Sequence, residues 1–169
     1  MGELHTTKIL FANAFKELLC EIPLNKISVR EICEKCDMNR KSFYYHFKDK
    51  EDLICWIFDS ELLEEYREVP SGLWETIEIL AKYLYENRSF YKKVLKAEGQ
   101  NSISQHLQLV CYNIFSENME HNNNGLSIRA DFFADAIVCA IKRWLLASNL
   151  ISPAQLVIEL KSCFDFIKM

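Results

Sequence analysis

Chain breakers are scarce in this sequence, with four glycines and three prolines in 169 residues. That excludes collagen-like, loop-rich and linker-like architectures, which are built from those residues. Long apolar runs are missing too. No stretch approaches the ~20 residues that a membrane-crossing helix needs, and the N-terminus lacks the basic start, apolar stretch and small-residue cleavage site of a secretory signal. No glycine-rich phosphate loop and no nucleophile elbow is present. His5, His46, His106 and His121 stand apart from one another. An enzyme is therefore not expected, and neither is a cofactor.

Cysteine is present without the pattern of a disulfide framework. Seven residues, an odd number, are scattered as Cys20, Cys33, Cys36, Cys55, Cys111, Cys139 and Cys163. This usage fits the reducing cytoplasm. Cys33 and Cys36 form one C-x-x-C pair. Structural zinc wants four ligands, and no second pair exists, so no metal site is expected. A redox pair belongs beside a βαβ pattern, which is absent. Packing of two small side chains is the expectation for Cys33 and Cys36, and a redox-responsive regulator using them is the alternative.

What is abundant is hydrophobic residues at helical spacing. Half the residues are hydrophobic, enough for a core in one domain or two small ones. Thr6 or Thr7 can cap a first helix carrying Ile9, Leu10, Ala14, Phe15, Leu18 and Leu19, and Pro23 stops it. Ser28 and Glu31 have the spacing of a capping box for a short second helix, with Val29, Ile32 and Cys33 inside. A turn at Cys36, Asp37 and Met38 follows. Asn39 can cap a third helix. Two short helices around a three-residue turn have the spacing of a helix-turn-helix. Asp49 and Asp52 then cap a fourth helix to about Glu68, broken by Pro70, Ser71 and Gly72. Further amphipathic helices are expected at 72–87, 88–97, 101–120, 126–148 and 153–168. No strand pair is visible, so the class is all-α.

The charge is uneven. Residues 1–50 carry nine Lys/Arg against seven Asp/Glu, a balance of +2; the rest carry eleven against seventeen, a balance of −6, and together they give the net −4. A mildly basic front on an acidic body suggests that the front meets a polyanion. The stretch "NRKSFYYHFKDKEDL", residues 39–53, concentrates that basicity. Phe43 and Phe47, four apart, share one face of the third helix and point inward. Arg40, Lys41, Tyr44, Tyr45 and Lys48 are left facing outward or flanking. Arginine and lysine donate to guanine acceptors in the major groove, while tyrosine and lysine donate to phosphates.

The segment "ISVREICEKCDMNRKSFYYHFKDKEDL", residues 27–53, with the helix before it, resembles the TetR family of transcriptional regulators. Ser28, Val29, Arg30, Ile32, Phe43, Tyr44, Phe47, Lys48, Lys50, Glu51 and Leu53 match the family pattern. The turn glycine usual there is Asp37, which must then take a left-handed or nearby conformation, and one tyrosine is His46. The resemblance implies a three-helix DNA-binding domain at 1–48 and a helical ligand-sensing and dimerising domain at 49–169. It implies base-proximal roles for Arg40, Lys41, Ser42 and Tyr45 and phosphate contacts for Tyr44, His46 and Lys48, with Ser28 among the DNA contacts. The partners implied are double-stranded DNA and a second copy of the chain.

In the remainder, the last two helices suit dimerisation. Ile128, Phe132, Phe133, Ala136, Ile137, Ala140, Ile141, Trp144 and Leu145 make a wide apolar surface, and Leu156, Val157, Leu160, Phe164 and Ile167 a matching stripe. The symmetry of DNA half-sites asks for a two-fold protein. Trp74, Tyr83, Tyr112 and Phe115 are the candidates for lining a small-molecule pocket, although aromatics at helical spacing also serve as plain core. "SFYYHFKDKEDLICWIFDSEL" and "LAKYLYENRSFYKKVL" are similar to the branch of the family containing the dihydroxyacetone kinase operon regulator. In that branch a separate ligand-binding protein acts as co-regulator. A helical protein-interaction module is the rival reading; it would lack the steep salt dependence of phosphate binding.

Overall fold

The computed structural model describes residues 3–65, 72–97, 102–118 and 128–167. Among them are nine α-helices and no strand: α1 (Glu3–Glu21), α2 (Val29–Lys35), α3 (Arg40–His46), α4 (Lys50–Glu65), α5 (Leu73–Glu86), α6 (Arg88–Lys96), α7 (Ser102–Asn118), α8 (Ile128–Leu146) and α9 (Pro153–Ile167). A 3₁₀ turn at Leu24–Lys26 precedes α2. The fold is all-α. The expected end of α4 near Glu68, its breaker Pro70 and Ser71, and the outer ends of the helices expected at 101–120 and 126–148, at residues 101, 119–120 and 126–127, lie outside the described residues.

Local chemistry sets several of the helix ends. Ser28 Oγ accepts from the Glu31 N–H at 3.3 Å and the Ser28 N–H donates to Glu31 Oε2 at 2.7 Å, closing the capping box. These bonds, the backbone one first, hold the Glu31 carboxyl below its usual range. At the other end of α2, Asp37 has φ 53°. The Met38 N–H reaches the Cys33 carbonyl at 2.9 Å and the Asp37 N–H reaches that of Glu34 at 3.4 Å. That is the paired closure of a Schellman motif, with aspartate where glycine is usual. Asp49 Oδ1 accepts from the Asp52 N–H at 2.8 Å, and Asp52 Oδ2 accepts from the Lys48 N–H at 2.9 Å, starting α4. Ser152 caps α9 through the Gln155 N–H at 3.2 Å, with Pro153 as first helical residue.

The first helix departs from expectation. Thr6 and Thr7 lie inside α1 rather than capping it. Ile9 and Leu10 are 40% and 44% exposed, whereas Phe11, Phe15 and Leu19 are buried. Ile9, Leu10, Phe11 and Ala12 are consecutive, so periodicity alone leaves the inner face undetermined.

Packing divides the chain into two compact units. The first gathers the described residues of Met1–Glu61 and Ser89–Ile103. Its core holds Phe11, Phe15, Leu19, Ile32, Phe43, Phe47, Leu53, Ile57, Phe58 and Tyr91. Phe11 meets Phe43 edge-on at 5.2 Å and Phe47 at 6.3 Å, and Phe58 meets Tyr91 at 6.1 Å. Truncating one such buried ring costs about 3–5 kcal/mol. The second unit gathers the described residues of Leu62–Arg88 and Ser104–Met169. There Ile77, Leu80 and Leu84 of α5, Leu107 and Phe115 of α7, Ile137 and Ile141 of α8, and Leu156 and Val157 of α9 are buried. The packing boundary lies further along than the division expected between residues 48 and 49, because Ile57 and Phe58 of α4 and Tyr91 of α6 complete the front core.

Candidate nucleic-acid interface

Helix α3 has seven residues, and two phenylalanines fix its rotation. Asn39 Oδ1 accepts from the Ser42 N–H at 2.8 Å and starts it. Phe43 and the C-capping Phe47 are 0% and 2% exposed. With those rings held by Phe11, the remaining positions must turn outward. Arg40, Lys41 and Lys48 are exposed. Tyr44 is 53% and Tyr45 74% exposed. Asn39, Lys41, Ser42, Tyr44 and Tyr45 line one open, shallow concavity.

The cations of this surface differ from others in the same unit. Lys16 pairs with Glu61, Arg30 with Glu34 at 2.7 Å, and Lys35 with Glu17 at 3.3 Å and Glu21 at 3.4 Å. Lys93 donates to the Leu19 and Cys20 carbonyls at 2.8 and 3.3 Å. Among the described residues Arg40, Lys41 and Lys48 make no ion pair. Three unneutralised cations beside two exposed phenols form a surface suited to a polyanion.

Two of the expected contact residues are less free. Ser28 is exposed, but its oxygen is engaged in the capping box; its hydroxyl hydrogen remains available to donate. His46 is half-buried, with its ring 6.3 Å from Phe11 and 5.0 Å from Tyr45. Burial first, and the Lys8 ammonium second, hold its pKa below the ordinary imidazole value, which favours the neutral ring. Lys50 was expected only as part of the basic cluster. Instead its ammonium donates to the Leu24 carbonyl at 2.9 Å and the Ile27 carbonyl at 3.0 Å. The one signal for this in the sequence is a cation at the first position of a helix, where the macrodipole favours anions.

The thiols of Cys33 and Cys36 are both pushed above the usual range, chiefly by burial. Cys36 Sγ donates to the Ile32 carbonyl at 3.2 Å. Protonated, hydrogen-bonded thiols are poor nucleophiles, which weighs against the redox alternative. Burial pushes Cys111 up to about 12.

The apolar set assigned to dimerisation divides. Ile137, Ile141, Trp144 and Leu156 are buried within their own chain, on the side of α8 and α9 that closes the core. Trp144 also donates to the Ile151 carbonyl at 2.9 Å and stacks on Tyr85 at 5.9 Å. Phe133, Ala140, Leu160 and Phe164 are half-buried, while Phe132 and Ala136 are exposed. Ile128 and Ile158, 77% and 56% exposed, join them. Ile158 lies off the stripe that the sequence pattern singles out. Of the ligand candidates, Trp74 meets Phe164 edge-on at 5.4 Å and Phe115 stacks 6.5 Å from the same ring. Tyr83 is buried and Tyr112 half-buried.

Residues 13–54 match the family described as bacterial regulatory proteins, tetR family, and residues 73–165 match a transcriptional regulator C-terminal region of the TetR type. The HTH-type dhaKLM operon transcriptional activator DhaS of Lactococcus lactis subsp. lactis (strain IL1403) is 26% identical over 148 residues, spanning 81% of this chain and 78% of that protein. Solved structures of similar fold include a dihydroxyacetone kinase operon activator DhaS, at 22% identity and a TM-score of 0.66 over 93% of each chain. A TetR transcriptional regulator from Streptococcus agalactiae 2603V gives 18% identity and 0.65 over 95% of this chain and 94% of that one. Salmonella enterica GusR gives 17% and 0.59 over 96% and 97%. Proteins of this family are transcriptional regulators rather than enzymes, and they bind DNA, typically as dimers. The first matched segment takes in the exposed basic helix α3 and the start of α4, and the second takes in α8 and most of α9: the chain belongs to the TetR family of DNA-binding transcriptional regulators.

Proposed function

We propose that this regulator reads a palindromic duplex as a homodimer, each subunit laying α3 in a major groove with half-site centres about 34–36 Å apart or a multiple of that. Arg40, Lys41, Ser42 and Tyr45 stand at base edges. Ser28, Tyr44, His46 and Lys48 hold phosphates, with His46 joining fully only when protonated. The observation that carries this reading is the unpaired cationic and phenolic side of α3 opposite its two buried phenylalanines. Residues 1–48 do the reading, and residues 49–169 the dimerising and sensing. The intersubunit face takes the exposed Phe132, Ala136, Ile128 and Ile158, flanked by Phe133, Ala140, Leu160 and Phe164. Likeness to DhaS supports a cytoplasmic operon regulator of that branch, modulated by a small molecule or a partner protein, with the aromatic cluster around Trp74 and Phe115 as the place for a direct effector.

Selection from a random duplex pool by the purified protein tests the reading. A shared palindrome should be enriched, and enrichment of nothing in dilute buffer defeats it. On the selected duplex, Lys48→Ala should weaken binding to all sequences alike. Arg40→Ala should relax preference at one position by ~1–3 kcal/mol. Equal, uniform losses from both would refute the division of roles.

A further inference from the structure

In one corner of the first unit the end of α3 meets the second turn of α1, and a cation there makes no ion pair among the described residues. The Lys8 ammonium stands 5.3 Å from the centre of the Phe47 ring and 5.5 Å from that of Trp56. Phe47 is the C-cap of α3 and Trp56 lies in the second turn of α4. Aromatic faces attract a cation without neutralising it. Beside it, His46 is the last residue of α3. Its half-buried ring lies 6.3 Å from both Phe11 and Phe47 and 5.0 Å from Tyr45. Burial, and then the Lys8 charge, disfavour its protonation. An anion placed beside both groups reverses that second effect, because it attracts the ammonium and the imidazolium alike. The other titratable groups of the corner are the Tyr45 phenol on α3 and the His5 imidazole on α1, which meets Trp56 edge-on at 5.9 Å. Lys48 follows two residues on, and α4 brings the Trp56 ring, which does not titrate.

We infer that Lys8 and His46 together hold one backbone phosphate of the duplex, and that His46 takes up a proton as it does so. The inference rests on the proposed reading of DNA by α3, and it adds α1 to the contact surface. The proton comes from solvent and adds to the unprotonated ring nitrogen. The imidazolium then donates to a phosphate oxygen next to the Lys8 ammonium, and both bonds are charge-assisted. Because the complex binds the proton more tightly than the free protein, affinity rises as pH falls from the bound midpoint to the free one. Below the free midpoint it levels off.

Affinity for a duplex selected by the wild-type protein, measured against pH and against salt, tests both groups. Wild type should bind about tenfold more tightly at pH 6 than at pH 8, the effect of one linked proton over one pH unit. His46→Tyr, which restores the residue usual in the family, should flatten the profile, and His5→Gln should keep it. Lys8→Met should lower the slope of log affinity against log salt by about 0.9 for each subunit, and Lys8→Arg should restore it. An unaltered slope in Lys8→Met overturns the inference, as does one pH profile shared by wild type and His46→Tyr. If a variant does not fold, resonances of the wild-type protein decide. A His46 midpoint raised by the duplex, with a Lys8 ammonium signal moved by it, supports the shared phosphate; either one unmoved overturns it. Failure of wild-type protein to bind any duplex at any pH would instead count against the reading of DNA itself.

Discussion

Asp37 shows how one residue sets the shape of the turn. It occupies the left-handed position of the Schellman closure at φ 53°, a region that costs most L-residues roughly 1–2 kcal/mol and aspartate less. Replacing it by glycine should stabilise the protein by up to about 1 kcal/mol, and Asp37→Val should destabilise it by about 1–2 kcal/mol. Urea unfolding midpoints measure both; a valine variant as stable as wild type would contradict the strained-turn account. The need for a left-handed residue was legible in the family resemblance, which has a glycine where Asp37 stands. The roles of His46 and Lys50 were not. Lys50 matches the family pattern and His46 departs from it, but one half-buried ring stands 6.3 Å from Phe11 and one ammonium is engaged by carbonyls 23 and 26 residues away.

Helices are bounded here by caps that sequence spacing reveals, since a cap joins residues three or four apart. The Ser28–Glu31 box, Asn39 and the Asp49–Asp52 pair all form where the pattern places them. Asn39→Ala should cost about 1 kcal/mol of stability, read as a lowered thermal midpoint, with duplex affinity falling alongside because α3 frays from the end that carries Arg40 and Lys41. An unchanged midpoint would mean that tertiary packing alone holds α3. Helix C-termini are different. Lys93 closes the end of α1 from 73 and 74 residues away, and the Arg88 guanidinium donates to the Leu145 and Ala147 carbonyls at the end of α8. Both place cations where the macrodipole favours them, yet nothing in the local spacing announces the pairing.

For the molecule as a whole, the decisive question is which apolar residues remain for a second subunit. Ile141 is 1% exposed and Phe132 56%. Phe132→Glu should therefore convert dimer to monomer with little change in the unfolding of the subunit, whereas Ile141→Ala should lose about 2–5 kcal/mol of stability. Sedimentation and thermal unfolding report the two effects. A Phe132→Glu protein that stays dimeric would move the intersubunit face elsewhere.

By itself the sequence determined the helical class, the helix-turn-helix, the capping pattern and the basic side of α3, because each depends on contacts within one or two helical turns. Only the tertiary structure decided which face of α1 is inner, which residues of α8 and α9 close the core, and why Lys50 differs from Lys48. Those depend on partners far along the chain. A wide apolar stripe has the same periodicity whether its own subunit or a second one covers it, and a lysine has the same charge whether it meets a phosphate or a carbonyl.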